Sequence, residues 1–320
     1  MKIKNENDLL EFVCSKINTK SPNVFKSIGD DCAVIKISNG KFFVITTDTS
    51  LQGPHFSSKY RPDEIAYKAL STNLSDIAAM GCIPKYILMS LTLPRLSDAW
   101  IKSFYGGLNK LIKKYNIALI GGDTNKGNLS ITIQVIGINK NKILYRHNAK
   151  LGDDIYITGN IGSARAALNL SKSKKFKKEE KLLRKYLLSP IPRIEIGLKI
   201  SNIANSCIDI SDGLMKDLGN ILKSSNVGAD IFLEKLPVHA LVKKIFLGNK
   251  FYECILSGGE DYELCFTAPS KEKNNINKIS KQTGIKITSI GKITSGKLNF
   301  FKENKICHFK FKGFDHFAHQ

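Results

Sequence analysis

The sequence predicts a two-domain protein of mixed strand and helix, α/β in its first half. Three observations carry this. Strand-like and helix-like runs alternate between residues 32 and 138. The 320 residues leave room for two sizeable cores. Composition shifts at NKNKILYRHNAKLGDD, residues 139–154, which reads as a domain junction or a surface loop.

The elements follow in order. CAVIKI (32–37) and FFVITT (42–47) read as strands, rich in β-branched and aromatic residues. The second stops at Thr46-Thr47-Asp48, where two hydroxyls and a carboxylate stand at a strand end. DEIAYKALSTNLSDIAAMG (63–81) reads as a helix. Pro62 suits its first turn, and Asp63 and Glu64 suit the positive end of its dipole. Ala66, Leu70, Leu74 and Ile77 recur at helical spacing, and Gly81 with Pro84 ends the run. Thr72, Asn73 and Asp76 fall on another face. YILMSLTL (86–93) is a strand, and residues 98–117 form a second amphipathic helix that leads into IALIGGD (117–123). LSITIQVIGI (129–138) is a further strand. The second half opens with a strand, a turn carrying Gly159 and Gly162, and a helix from Ser163. That turn is either a phosphate-binding loop or an ordinary helix start.

Composition excludes several classes. No apolar run is long enough to span a bilayer. The N-terminus has acids and asparagines where a signal peptide needs an apolar core, so the expected location is cytoplasmic. Seven cysteines without a C-x-x-C pair read as reduced, buried thiols. Lys and Arg number 49 against 28 Asp and Glu, a net charge of +21. The lysines are spread along the chain, and the one dense run, residues 171–186, is interrupted by Glu179 and Glu180. A solvated basic face is expected rather than a specific nucleic-acid site.

The few acids are not scattered. Asp30 and Asp31, Asp48, Asp123, and Asp209 with Asp212 sit at the ends of apolar segments, and Asp76 on the helical run makes seven. Singly, each has a turn or capping explanation, Asp212 before GLMKDL above all. Together they repel unless cations fill the space between them. Carboxylates and hydroxyls without clustered His or Cys select Mg²⁺ over zinc, and Mg²⁺ usually shares its positions with nucleotide phosphates. Gly121 and Gly122 would let backbone approach such phosphates. A standard phosphate loop is missing: GKITSGKL (291–298) places Leu298 where a hydroxyl belongs.

GDDCAVI, TTDTSLQGPHF, NLSDIAAMG, GGDT, AKLGDDIYITG, ISDGL, SGGEDYELCFT and GFDHF occur in this order. The set resembles the thiamine-monophosphate kinases, in the wider group that includes aminoimidazole ribonucleotide synthetase and selenophosphate synthetase. The resemblance spans residues 29–317. It implies transfer of the ATP γ-phosphate to thiamine monophosphate, giving thiamine diphosphate, with several Mg²⁺ ions per site and a homodimer. It implies an N-terminal α/β domain (1–150) that binds ATP and Mg²⁺ and forms the dimer core. A C-terminal α+β domain (151–320) completes the substrate site. Matched motif by motif, Asp31, Thr46, Thr47, Asp48, Asp76, Asp123, Asp209 and Asp212 are implied as metal ligands. Tyr105, Gly122, Asp123, Arg146 and Ser211 are implied as ATP contacts, and His55, Glu260 and Phe314 as contacts to thiamine monophosphate. No dedicated base or nucleophile is implied, since the acceptor phosphate is already ionised. The competing readings are another ATP-using synthetase of the group, or a basic nucleic-acid-binding protein with a degenerate site. Three places depart from the family pattern: Pro54 before His55, RHNAK after residue 145, and Phe at 314 where Trp or Tyr is expected.

Phe314 yields the first testable expectation. A ring stacked on the acceptor is worth on the order of 1 kcal/mol, so Phe314→Ala should raise the KM for thiamine monophosphate about fivefold. Melting temperature and KM for ATP should not move. A large fall in melting temperature at constant KM would make Phe314 a core residue instead.

Overall fold

The computed structural model describes residues 6–17, 20–172 and 175–311. Phe314 lies outside them. The first half forms α1 (Glu6–Lys16), β1 (Val24–Lys26), β2 (Ala33–Ser38), β3 (Lys41–Leu51), α2 (Pro62–Ala79), β4 (Cys82–Leu93), α3 (Asp98–Tyr115), β5 (Ala118–Lys126) and β6 (Ser130–Asn139). Its sheet runs β1-β2-β3-β6-β4-β5. An Asn39-Gly40 turn joins β2 to β3, a dipeptide suited to a tight hairpin. Only β4 and β5 are parallel, with α3 as the crossover. The α/β expectation therefore becomes a mixed sheet: β6 inserts between β3 and β4 and pairs antiparallel with both.

Two strands outrun their apolar runs. β3 does not stop at Thr46-Thr47-Asp48 but continues to Leu51, because β6 pairs with it from Phe43 to Leu51. β4 begins at Cys82 and contains Pro84. A proline has no N–H to give a ladder, and the β4–β6 register shifts between Pro84 and Tyr86, which accommodates it. Gly81 alone thus ends α2.

The second half forms β7 (Asp154–Thr158), α4 (Ser163–Ser171), α5 (Lys177–Leu188), α6 (Ile194–Ile200), β8 (Ser206–Asp209), α7 (Leu214–Ser225), β9 (Gly228–Phe232), α8 (Ala240–Ile245), α9 (Gly248–Leu256), β10 (Leu264–Ala268), α10 (Lys273–Thr283), β11 (Ile287–Thr294), β12 (Leu298–Lys302) and β13 (Lys305–Cys307). Its sheet runs β13-β12-β9-β11-β7-β10-β8, antiparallel except for β9 and β12. The GKITSGKL run leads from β11 into strand β12, not into a helix, so it cannot cradle phosphate as a phosphate loop does. No helix among the described residues is long and apolar enough to cross a membrane.

α2 is the central element. Pro62 opens it, and the Glu64 carboxylate accepts the Arg61 N–H at 3.0 Å. Ile65, Ala66, Leu70, Leu74, Ile77 and Ala78 are all buried. The helix packs on β3, β4, β6 and α3 from its own half, and on α6 and β8 from the other. The first core is continuous across the halves: Tyr156, Cys207, Leu264 and Phe266 pack into it. A second core lies within the second half, around Ile157, Leu218, Ile231 and Cys265.

One buried ion pair lies within the second half, beside the helix that packs on α2. Arg193, at the start of α6, gives Nε and Nη2 to the Glu263 carboxylate, which also accepts Thr158 Oγ1 at 2.6 Å. The side chains are only 11% and 6% exposed. Removing one partner strands the other charge in the interior. Arg193→Ala should cost about 3 kcal/mol, read as a lower urea midpoint. Adding Glu263→Gln to it should return part of that loss. Equal midpoints for wild type and Arg193→Ala would show the pair to be energetically idle.

Candidate active site

A cavity of about 600 Å³ opens where β3, α2, the start of α7 and the loop before β10 converge. It gathers most of the residues picked out in the sequence: Asp31, Thr46, Thr47, Asp48, His55, Asp76, Arg146, Asp209, Ser211, Asp212 and Glu260 all line it.

At one end the carboxylates crowd. One oxygen each from Asp31, Asp76 and Asp209 lies within 4.8 Å of the others. Strand alternation puts Thr46 and Asp48 on one face of β3, and Thr47 on the opposite one. Thr46 Oγ1 donates to Asp76 Oδ2 at 2.6 Å. Arg146 gives Nε and Nη2 to Asp31 Oδ1 at 3.1 and 2.6 Å. Asp31 Oδ2 is buried with no hydrogen-bond partner. Burial pushes Asp31 up to about 6, against the pull of Arg146, and pushes Asp209 up to about 8, with the Asp31 charge adding to it. Burial also raises Asp76 and Asp48, reinforced for Asp76 by the neighbouring carboxylates and for Asp48 by Asp212. One arginine thus faces several acids that repel one another. An orphaned carboxylate oxygen and an oxygen-only donor set fit a hard divalent cation here.

The ISDGL loop is held from within. Asp217, in the first turn of α7, accepts the N–H groups of Ser211, Asp212 and Gly213 at 3.0–3.1 Å. This fixes three successive residues, and Asp212 is further paired to Lys216 Nζ at 2.7 Å. The SGGEDYEL loop is laid against it: the N–H groups of Glu260 and Tyr262 donate to Ser211 O and Ile210 O. Gly259 has φ +66°, and a Cβ there would stand 2.7 Å from Ser211 O, so only glycine permits this approach. Glu260 and Tyr262 follow at φ +61° and +50°, a costly conformation for side chains of that size.

At the other end stand His55, Tyr60, Lys68 and Glu260, while Tyr262 lies within reach of both Glu260 and the carboxylates. Leu51 N–H donates to His55 Nδ1 at 3.1 Å, so a neutral imidazole carries its proton on Nε2. Lys68 donates to Glu260 Oε1 at 2.6 Å and to His55 O at 3.2 Å.

Other residues are not brought here. Tyr105, Gly122 and Asp123 do not line the cavity. The register runs from Thr49 to Thr132, Ser90 and Asp123 across three strand steps. At about 4.8 Å per step, Asp123 is on the order of 14 Å from Thr49. Asp123 instead accepts Thr124 N–H and Asn125 Nδ2 on β5, which is exposed along its whole length. Gly122 is required by β4: a Cβ would meet Met89 O at 1.9 Å. Asn73 is buried and does not line the cavity as Thr72 and Asp76 do; its Nδ2 donates to Ala69 O, which Thr72 Oγ1 also reaches. The Gly159–Ser163 turn is an ordinary helix start. Asp261 Oδ2 takes the Gly162 N–H at 2.7 Å, so a protein carboxylate holds the place of a phosphate.

Sequence reading missed Lys68 and Asp217. The spacing of Lys68, Thr72 and Asp76 at i, i+4 and i+8 placed them on one helical stripe, and an acid in the first turn of α7 was visible. Neither signal distinguishes a site residue from a surface one.

Two family models match the chain: AIR synthase related protein, N-terminal domain, over residues 29–139, and its C-terminal domain over residues 150–302. The thiamine-monophosphate kinase of Buchnera aphidicola subsp. Schizaphis graminum is 45% identical over 319 residues, 98% of this chain and 99% of that one. The thiamine-monophosphate kinase of Escherichia coli K12 is 39% identical, over 95% of each chain. Among solved structures, AaThiL complexed with AMPPCP and TMP is 31% identical with a TM-score of 0.85, over 99% of each chain.

The carboxylate end makes its own prediction. Millimolar Mg²⁺ should raise the melting temperature by mass action on the folded state, and EDTA should reverse it. Asp209→Asn should lose most of that rise, yet melt no lower than wild type in EDTA, because a neutral amide replaces a buried acid whose ionisation its neighbours oppose. A Mg²⁺ response that survives Asp209→Asn would place the cation elsewhere.

Proposed function

This chain belongs to the AIR synthase-related family and, within it, to the thiamine-monophosphate kinases; it uses ATP to phosphorylate thiamine monophosphate to thiamine diphosphate, and we propose which residues do so. The observation that carries the reading is the cavity itself. It holds an acid-rich end for cations and phosphates and, at the other end, donors and aromatic faces for an organic phosphate.

Asp31, Asp48, Asp76, Asp209 and Asp212, with Thr46 and Thr47 beside them, would hold several Mg²⁺ ions. When bound, these cancel charge between two anionic substrates and aid in-line attack. Arg146 and Ser211 orient the ATP phosphates; Arg146 is itself held by Asp31. His55 Nε2–H and Glu260 orient the acceptor, with Phe314 as a ring contact. An oxygen of the acceptor phosphate forms the new P–O bond, the bond to the β-phosphate oxygen breaks, and ADP departs. No side chain need take a proton, because the attacking oxygen is already ionised. Transfer is direct, and inversion at a chiral γ-phosphate would support it. Among the described residues, His55 is the one imidazole lining the cavity, and its Nδ1 is engaged by backbone. Five of the seven thiols are buried, Cys14 is exposed and Cys307 partly so, and all are unpaired, which suits a reducing cytoplasm.

Residues 1–150 serve as the ATP, Mg²⁺ and dimerisation domain, and residues 151–320 complete the acceptor site. The dimer reading rests on β5, an edge strand exposed throughout with Leu119 and Ile120 in the open. Such an edge calls for cover, which a second copy of this chain provides. Tyr105, Gly122 and Asp123 then complete an ATP site across the interface.

Purified protein given ATP, Mg²⁺ and thiamine monophosphate should yield thiamine diphosphate and ADP in equal amounts. Asp76→Asn and Asp123→Asn should each abolish turnover. Mixed protomers of the two variants should recover about a quarter of wild-type activity if Asp123 serves the partner's cavity, since half the dimers are then mixed and carry one intact site. No recovery in demonstrably mixed dimers would confine each site to one chain.

A further inference from the structure

We propose that Lys68 is a positioning residue of the acceptor site, fastening Glu260 from the second half of the chain to the His55 turn of the first. The proposal rests on the assignment of His55 and Glu260 as acceptor contacts. Lys68 borders the cavity, yet its side chain is only 7% exposed. An ammonium so far from water needs partners, and it has two: Glu260 Oε1 at 2.6 Å and His55 O at 3.2 Å.

Both partners are held at their other ends. The Glu260 N–H donates to Ser211 O at 2.7 Å, and its backbone sits at φ +61°. The His55 N–H donates to Leu51 O, and its Nδ1 accepts the Leu51 N–H, both at 3.1 Å. What remains adjustable is the direction of the Glu260 carboxylate and of the turn's carbonyl. Lys68 fixes those two together. It does so from α2, whose burial keeps the Lys68–Thr72–Asp76 stripe in place. One helix therefore sets the spacing between the acceptor end and the carboxylate end. Lys68 also answers the charge of Glu260, which would otherwise be a further unpaired acid in an acid-rich cavity.

The test compares Lys68→Met, Lys68→Arg, Glu260→Gln and the Lys68→Met/Glu260→Gln double variant in the full-length protein. The readouts are kcat, KM for thiamine monophosphate, KM for ATP and melting temperature. Lys68→Met should raise the acceptor KM about tenfold while the ATP KM stays within about twofold. In the Glu260→Gln background the same change should add much less, because the lysine acts through that carboxylate. Lys68→Arg should fall between, since a planar guanidinium does not reproduce a point charge. An unchanged or lowered acceptor KM in Lys68→Met overturns the proposal. So does a full further tenfold rise when Lys68→Met is added to Glu260→Gln, or an equal rise in both KM values with a lower melting temperature. Should Lys68→Met not fold, Lys68→Arg decides: a raised acceptor KM at constant melting temperature supports the role, and wild-type kinetics overturn it. If Glu260→Gln and His55→Ala both leave the acceptor KM unchanged, the acceptor assignment itself fails. If they raise it and Lys68→Met does not, only the role of Lys68 fails.

Discussion

Mutual repulsion among Asp31, Asp76 and Asp209 is the constraint around which the molecule is arranged. Their oxygens lie within 4.8 Å of one another. At an effective dielectric of about 20, each ionised pair so placed costs roughly 3 kcal/mol. Full ionisation of all three would thus cost a sum comparable with the whole stability of a domain, and burial with mutual repulsion instead pushes Asp209 up to about 8. Arg146 offsets part of the repulsion, by direct pairing at Asp31 and at longer range at Asp209. A fold that keeps such a cluster needs well-packed surroundings, and they are present. Asp31 follows a loop into β2, Asp209 ends a four-residue strand buried throughout, and Asp76 rides on the most enclosed helix of the first half.

α2 serves both the packing and the chemistry. Its apolar residues join the first core on several sides, so its polar residues had to be placed without exposing it. Asn73 meets this by bonding back to its own helix. Thr72, Asp76 and Lys68 meet it by facing the cavity. The helix thus spans from the carboxylate end of the cavity to its Lys68–Glu260 end by geometry alone: residues four apart rise about 6 Å along the axis.

The carboxylates were legible because they end apolar runs in a chain poor in acids, and that contrast survives without coordinates. The mixed first sheet was not legible. Alternating strand and helix fits both a parallel sheet and one that β6 enters late, and only the pairing partners separate the two. The placement of Asp123 was hidden for the same reason: its distance from Asp48 is a matter of strand order, not of spacing along the chain. Lys68 was hidden by composition. In a sequence with 49 Lys and Arg, one more lysine on a helix carries no local sign that it is buried. Asp217 was hidden by its ordinary position, since an acid in a helix's first turn needs no special reason. The motif resemblance carried His55 and Glu260, which residue chemistry alone did not single out.

The continuous first core has a consequence for how product leaves. Tyr156, Leu264 and Phe266 are packed among residues of the first half, with Tyr156 and Phe266 stacked at 5.2 Å. Swinging the two halves apart as rigid bodies would wet that apolar surface, at about 25 cal/mol for each Å² exposed. A hinge of that kind is therefore a poor exit. The link between the turn at 51–56 and the loop at 257–262 is far smaller and runs through the two hydrogen bonds of Lys68, so opening there costs less than opening the core.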